Sequence, residues 1–122
     1  MKKIMIIVTT VCIACSSKKS AVFIVRDFPK GIEISNFKEK YDAYNGQYEV
    51  EFTYTNNTDK KLKIPSLAAD FYIAGKKEGY SDGGTVDALD AKGGYGQASV
   101  HTILPKESAD SVVFYFNGTF TK

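Results

Sequence analysis

From Ala21 onward the apolar residues recur with a period of two rather than 3.6, the spacing of strands. The clearest stretch runs from Gln47 to Thr55 (QYEVEFTYT). It places Tyr48, Val50, Phe52 and Tyr54 on one face and Glu49, Glu51, Thr53 and Thr55 on the other, the pattern of a half-buried strand. Ala21 to Val25 (AVFIV) is apolar on both faces and predicts a strand covered on both sides or near a sheet centre. In Gly31 to Asn36 (GIEISN), Ile32 and Ile34 share a face. Asn56 to Lys60 (NNTDK) carries turn chemistry. After it, Leu62 and Ile64 alternate with Lys61 and Lys63 in a returning strand that Pro65 ends or confines to an edge. Phe71 to Ala74, Ala98 to Ile103 and Ser111 to Phe116 predict the remaining strands. Residues 79–96 hold six glycines (79, 83, 84, 93, 94 and 96) and read as a polar loop. Asn36 to Gly46 fits a short helix equally well, because Phe37, Tyr41 and Tyr44 lie four and three apart and Asn45-Gly46 supplies a C-cap. Six or seven strands in one domain predict an all-β fold, a β-sandwich.

The N-terminus has a different pattern. Met1-Lys2-Lys3 is basic, and Ile4 to Ala14 (IMIIVTTVCIA) is an uncharged run of eleven residues. As a helix it spans roughly 17 Å against about 30 Å of hydrocarbon, too short for a membrane anchor and suited to a signal-peptide core. The run ends in Ile13-Ala14-Cys15-Ser16-Ser17, which resembles the lipobox of bacterial lipoproteins: an aliphatic residue, a small one, then the cysteine. Cys12 stands where Leu is usual; it is the rival acceptor, but β-branched Val11 precedes it. The resemblance implies residues 1–14 as a signal peptide cleaved before Cys15, residues 15–20 as lipidated N-terminus and tether, and residues 21–122 as the domain. Two or three acyl chains on Cys15 suffice for stable anchoring, so the membrane is the expected first partner. Ser16 after the cysteine implies, by resemblance to enteric lipoproteins, sorting to the outer membrane in a Gram-negative cell. The competing reading is a plain secretory signal cut near Ala14.

Composition narrows the chemistry. The chain has 122 residues and a net charge of +2, but loss of Lys2 and Lys3 leaves fourteen basic residues against fourteen acidic ones. Arg26 is the only arginine and no basic stripe exists, which excludes the usual nucleic-acid footprint. Sixteen Phe and Tyr residues are enough to build a core without disulfides. His101 is the single imidazole, and with Cys15 acylated no thiol pairs with it, so Cys–His catalysis and zinc sites lack their ligands. No G-x-S-x-G elbow surrounds Ser99, Ser108 or Ser111. No catalytic residue or cofactor is expected. Asp82, Asp87 and Asp90 (SDGGTVDALD) offer oxygen ligands for Ca²⁺ at a spacing that matches no EF-hand or nonapeptide repeat; solvated loop acids are the plainer reading. Tyr41, Tyr44, Tyr80 and Tyr95 fall outside the clean alternation and are candidate binding residues, against the alternative that each caps a sheet edge. Asn56 and Asn117 head N-x-T sequons, and Asp110-Ser111-Val112 matches a short bacterial O-glycosylation motif.

Tyr48–Asp59 (YEVEFTYTNNTD), Lys61–Ile64, Phe71–Ile73 and Leu104-Pro105-Lys106-Glu107-Ser108 before Val112-Val113-Phe114 together resemble the immunoglobulin-like β-sandwich domains of small bacterial lipoproteins. These include the immunoprotective-extracellular-protein-like group. The likeness covers roughly residues 47–117, with Lys106 in place of the usual Gly after Pro. It implies a single immunoglobulin-like β-sandwich in the cell envelope and carries no catalytic residues over. The expected function is non-catalytic binding or scaffolding toward an envelope protein or glycan. The alternative is an inhibitor or immunity-type lipoprotein that inserts residues 79–96 into an incoming enzyme or phage component. A small hydrolase comes third, and requires a pocket that gathers His101 with Asp82, Asp87 or Asp90.

Overall fold

A computed structural model describes residues 4–8, 20–85, 87–105 and 108–122. The chain is all-β, with no helix among the described residues. In order, the strands are β1 (Ile4–Val8), β2 (Val22–Arg26), β3 (Ile32–Asp42), β4 (Gln47–Asn56) and β5 (Leu62–Ile64). They continue with β6 (Ser66–Ile73), β7 (Lys76–Gly84), β8 (Gly94–Ile103), β9 (Ser111–Phe116) and β10 (Thr119–Phe120). Eight of them form one mixed sheet in the order β1-β2-β9-β6-β7-β8-β4-β3, and β5 pairs with β10. All neighbours in the large sheet are antiparallel except β2 and β9, which run parallel.

The sheet curls, and aromatic residues show where its ends meet. Phe23 of β2 stacks on Phe37 of β3, with ring centroids 4.4 Å apart and planes 8° from parallel. Those strands lie at opposite ends of the seven-strand run from β2 to β3. Phe114 of β9 closes the cluster against Phe52 of β4 at 5.3 Å, edge to face. The alternation in β4 explains its place there: Tyr48, Val50, Phe52 and Tyr54 are all fully buried, as their period of two requires.

Two expectations from the sequence are corrected. Asn36 to Gly46 is not helical: β3 continues through Asp42, and a tight turn follows. A bulge between Ser35 and Lys38, with Asn36 in the left-handed region, inserts one extra residue. Ile34 and Phe37 therefore both point inward although three positions separate them. Phe37 and Tyr41 are four apart, a spacing that a strand satisfies as well as a helix.

Residues 79–96 are not a loop either. β7 and β8 take up both ends, leaving residues 85–93 as the connection, and Leu89 within it is buried and bridged to Leu62. The glycines serve close approach instead. A Cβ on Gly83 would lie 2.3 Å from the Ser99 carbonyl oxygen, and one on Gly84, at φ +148°, 2.1 Å from that of Pro65. Here β7 and β8 share a single register pair, Gly84 with Ser99, and the sheet turns from one half to the other. Gly84→Ala is expected to cost about 1–3 kcal/mol, the range for forced overpacking, measured by chemical denaturation. A neutral result would mean that the seam is loose.

Glu39 fastens the start of the domain. Its carboxylate accepts hydrogen bonds from the Tyr48 hydroxyl (2.5 Å), the Ser108 hydroxyl (2.6 Å) and, at 3.4 Å, the Ala21 amide. Burial, and after it the Glu39 hydrogen bond, push the Tyr48 phenol far above its usual range. Burial alone raises Tyr54, whose hydroxyl donates to the Ser66 carbonyl at 3.2 Å. A phenol whose pKa is raised on folding contributes stability below its unfolded pKa of about 10, and that stability is lost as pH climbs toward the folded value. Stability is therefore expected to fall steeply above about pH 10. In an ultraviolet phenolate titration Tyr48 and Tyr54 should ionise only as the chain unfolds. Ionisation of all eight tyrosines before any loss of structure would contradict this burial.

Candidate functional site: a charged tyrosine face on the outer sheet

The outer surface of β2, β9, β6 and β7 carries residues in rows that the register fixes. One row reads Arg26, Tyr115, Ala68, Asp82; the next reads Ile24, Val113, Asp70, Tyr80; the third reads Val22, Ser111, Tyr72, Lys77. Side chains directly opposite across a sheet share a face, so the rows form one surface.

Asp70 lies at its centre and is only 9% exposed, although it stands on the solvent side of the sheet. The Lys77 ammonium reaches across from the adjacent row to its carboxylate at 3.1 Å. The same ammonium lies 5.3 Å from the ring centroid of Tyr80, whose hydroxyl donates to Asp82 at 2.8 Å. At the other end the Arg26 guanidinium carbon lies 5.8 Å from the Tyr115 ring centroid. The Arg26 Nε is buried and, among the described residues, has no hydrogen-bond partner. Burial first, and the Asp70 carboxylate second, raise the Tyr115 phenol above its ordinary value. Tyr80 is raised too, chiefly by its hydrogen bond to Asp82. Two cations and two carboxylates thus share the face with three tyrosines, Tyr72, Tyr80 and Tyr115, over four strands. The phenols of Tyr80 and Tyr115 both stay protonated near neutral pH, the Tyr80 hydrogen being committed to Asp82, and they present ring faces for stacking.

Of the four tyrosines singled out from the sequence, only Tyr80 belongs to this face, and the structure does not gather the set. Tyr41 packs half-buried against the core, and Tyr44 is 95% exposed on the turn after β3. Tyr95, on β8 opposite Thr55, lies seven residues along β4 from the strand pair of Tyr41 with Tyr48, roughly 24 Å away. The acids are scattered as well. Asp82 faces Tyr80, Asp90 lies 4.0 Å from Lys61, and the Asp87 carbonyl accepts from Thr85. Among the described residues no three His, Cys, Asp or Glu side chains are placed to hold a metal, so the Ca²⁺ candidate is not assembled. His101 is exposed on β8 opposite Glu49, and its amide donates to the Ser81 hydroxyl of neighbouring β7 at 3.1 Å. Asp82 therefore lies on the adjacent strand, while Asp87 and Asp90 lie in the connection between β7 and β8. An open groove of about 310 Å³ beside the glycine seam, between Lys63–Ser66 and Gly83–Thr85, is lined by neither carboxylate nor imidazole. Cys15 and its neighbours lie outside the described residues.

Sequence reasoning missed Arg26, Asp70, Lys77 and Tyr115. One signal was present: Asp70 is the lone charge in the apolar strand SLAADFYI. A charge at such a position must find a partner nearby. The chain matches no family model, no curated protein and no solved structure.

Proposed function

We propose that this is a lipid-anchored envelope lipoprotein, a non-catalytic binding module whose recognition surface is the outer face of β2, β9, β6 and β7. The leader and lipobox pattern of residues 1–15 supports the anchoring. The observation that carries the recognition reading is Asp70, nearly buried at the middle of an outward face and bracketed by Lys77, Tyr80 and Tyr115. A rigid sheet holds these groups in place, so little side-chain entropy remains to be lost on contact with an envelope protein or glycan. The hydrolase reading needs a pocket that gathers His101 with Asp82, Asp87 or Asp90; Asp82 stands on the strand beside His101, but the groove at the glycine seam is lined by neither. The inhibitor reading keeps as its inserting element only the connection between β7 and β8, since the strands take up both ends of residues 79–96.

We read the curled sheet as two packed layers, β2-β9-β6-β7 against β8-β4-β3. The facing rings of Phe23 with Phe37 and of Phe52 with Phe114 support the sandwich. The immunoglobulin pattern sets the last strand of its sheet beside the strand before it in sequence. Here β9 lies between β2 and β6, so the likeness extends to the layers and not to the strand order.

In-envelope photo-crosslinking tests the reading. A crosslinker at position 80 is expected to capture a discrete partner, and Asp70→Asn with Lys77→Ala is expected to abolish that capture. Equal capture from position 44, on the opposite half of the sheet, would remove the site. Separately, Cys15→Ser is expected to move the protein from the membrane to the soluble fraction; continued membrane fractionation defeats the anchoring.

A further inference from the structure

The two edges of the large sheet are built differently. The β3 edge is guarded: a bulge breaks its register at Asn36, and Lys38, Glu39 and Lys40 stand in its second half. Bulges and charges of this kind discourage strand addition. At the other end, β2 (VFIVR) has no proline and no register break against either neighbour, and its first four residues are apolar. Nothing in β2 guards that edge. In the full chain β1 covers it, antiparallel, pairing Ile4 with Arg26, Ile6 with Ile24 and Val8 with Val22.

β1 lies within the segment that the leader reading removes. We infer that cleavage uncovers the β2 edge and that a second copy of this chain occupies it, β2 against β2; this rests on the leader reading. A two-fold centred on Ile24 pairs Val22 with Arg26, Phe23 with Val25, and Ile24 with its counterpart. It keeps the direction that β1 adopts. It also preserves facing, since Phe23 and Val25 are the buried pair and Val22, Ile24 and Arg26 the outer set. Neither arginine then faces the other. The sheet continues from one copy into the next, and the two tyrosine faces become a single surface.

The tether allows it. Antiparallel β2 strands set the two Ala21 ends roughly 20 Å apart, six residues of strand. Residues 15–20 span up to about 20 Å in each copy, so both lipids reach one membrane. Confinement to that plane raises the effective concentration of one edge for the other, which favours a second copy over a strand supplied from solution.

Oxidative crosslinking of the processed protein in membranes tests the inference. At the two-fold, Ile24 and its counterpart have Cα atoms about 4.5–5.5 Å apart, within reach of a disulfide. Ile24→Cys is expected to give a disulfide dimer as the main species. Val22→Cys, which faces arginine, is expected to give at least tenfold less. Val22→Cys with Arg26→Cys restores the link and provides a second positive variant should position 24 disturb folding. A leader-retaining form, Ile24→Cys with Cys12→Ser and Cys15→Ala, is expected not to link, because β1 holds the edge. Failure of both positive variants to link in protein whose mass shows the leader gone overturns the inference and leaves the anchoring intact. Equal linking with the leader retained also overturns it. A mass that keeps residues 1–14 in the wild-type protein overturns the leader reading, and this inference with it.

Discussion

Phe114→Ala is expected to lower the unfolding free energy by about 3–5 kcal/mol, the range for removing a large buried aromatic. The ring is fully buried in β9 and lies 6.4 Å from Phe23, 5.7 Å from Phe37 and 5.3 Å from Phe52. Those three come from strands at both ends of the curled sheet, so Phe114 holds the curl closed as well as filling space. Its loss leaves a cavity among rigid rings that cannot collapse cheaply. At roughly 4–8 °C per kcal/mol for a domain of this size, Tm should fall by roughly 12–40 °C. Denaturant titration with an unchanged slope is the appropriate measurement. A loss below about 1 kcal/mol would mean that the two ends of the sheet do not depend on each other, since core truncations of this kind exceed it.

Asn56→Ala is the second large expectation, at about 2–4 kcal/mol from several buried groups left unpaired at once. Asn56 ends β4 and is fully buried. Its amide nitrogen donates toward the carbonyls of Lys60 (2.8 Å), Leu89 (3.2 Å) and Asp90 (3.2 Å). Its oxygen accepts from the Thr58 amide at 3.0 Å and the Thr58 hydroxyl at 2.7 Å. One side chain therefore ties the turn after β4 to the connection between β7 and β8. Asn56→Asp separates shape from chemistry: it keeps the size but turns a donor into an acceptor facing three carbonyls. It should cost more than alanine at neutral pH and recover in part in acid, where a protonated carboxyl can donate. Equal effects of both substitutions across pH would show that only volume matters. Because Asn56 is inaccessible in the folded chain, its N-x-T sequon is not a surface modification site.

How much of this could be read from the sequence varied with the physics involved. β4 and β9 were legible because burial on one face writes itself as alternation: Tyr48, Val50, Phe52 and Tyr54, then Val112 and Phe114. β3 was obscured because its bulge shifts the register, leaving Ile34 and Phe37 at a spacing that a strand does not normally show. β7 was hidden because glycine marks flexibility in a loop and close approach in a folded-over sheet, and sequence alone does not separate the two. Leu62 and Ile64 alternate cleanly, yet only Leu62 is buried; β5 is three residues long and faces β10, a partner that local pattern does not name. The tyrosine face was legible only in part. Tyr80 stood out by its polar neighbours, whereas Arg26, Asp70 and Tyr115 come together through pairings between residues 26, 70 and 115, which no local window contains.

The parallel pairing of β2 with β9 has a mechanical consequence. On the lipid anchoring proposed above, the tether enters at Ala21, and β2 runs from there along β9, from Val22 beside Ser111 to Arg26 beside Tyr115. A pull on the lipid directed along β2 loads all five of those pairs together, in shear, rather than unzipping them one by one. Tension between a membrane and a captured partner would then fall on the strands that carry Arg26 and Tyr115, so the grip would bear the same load as the anchor.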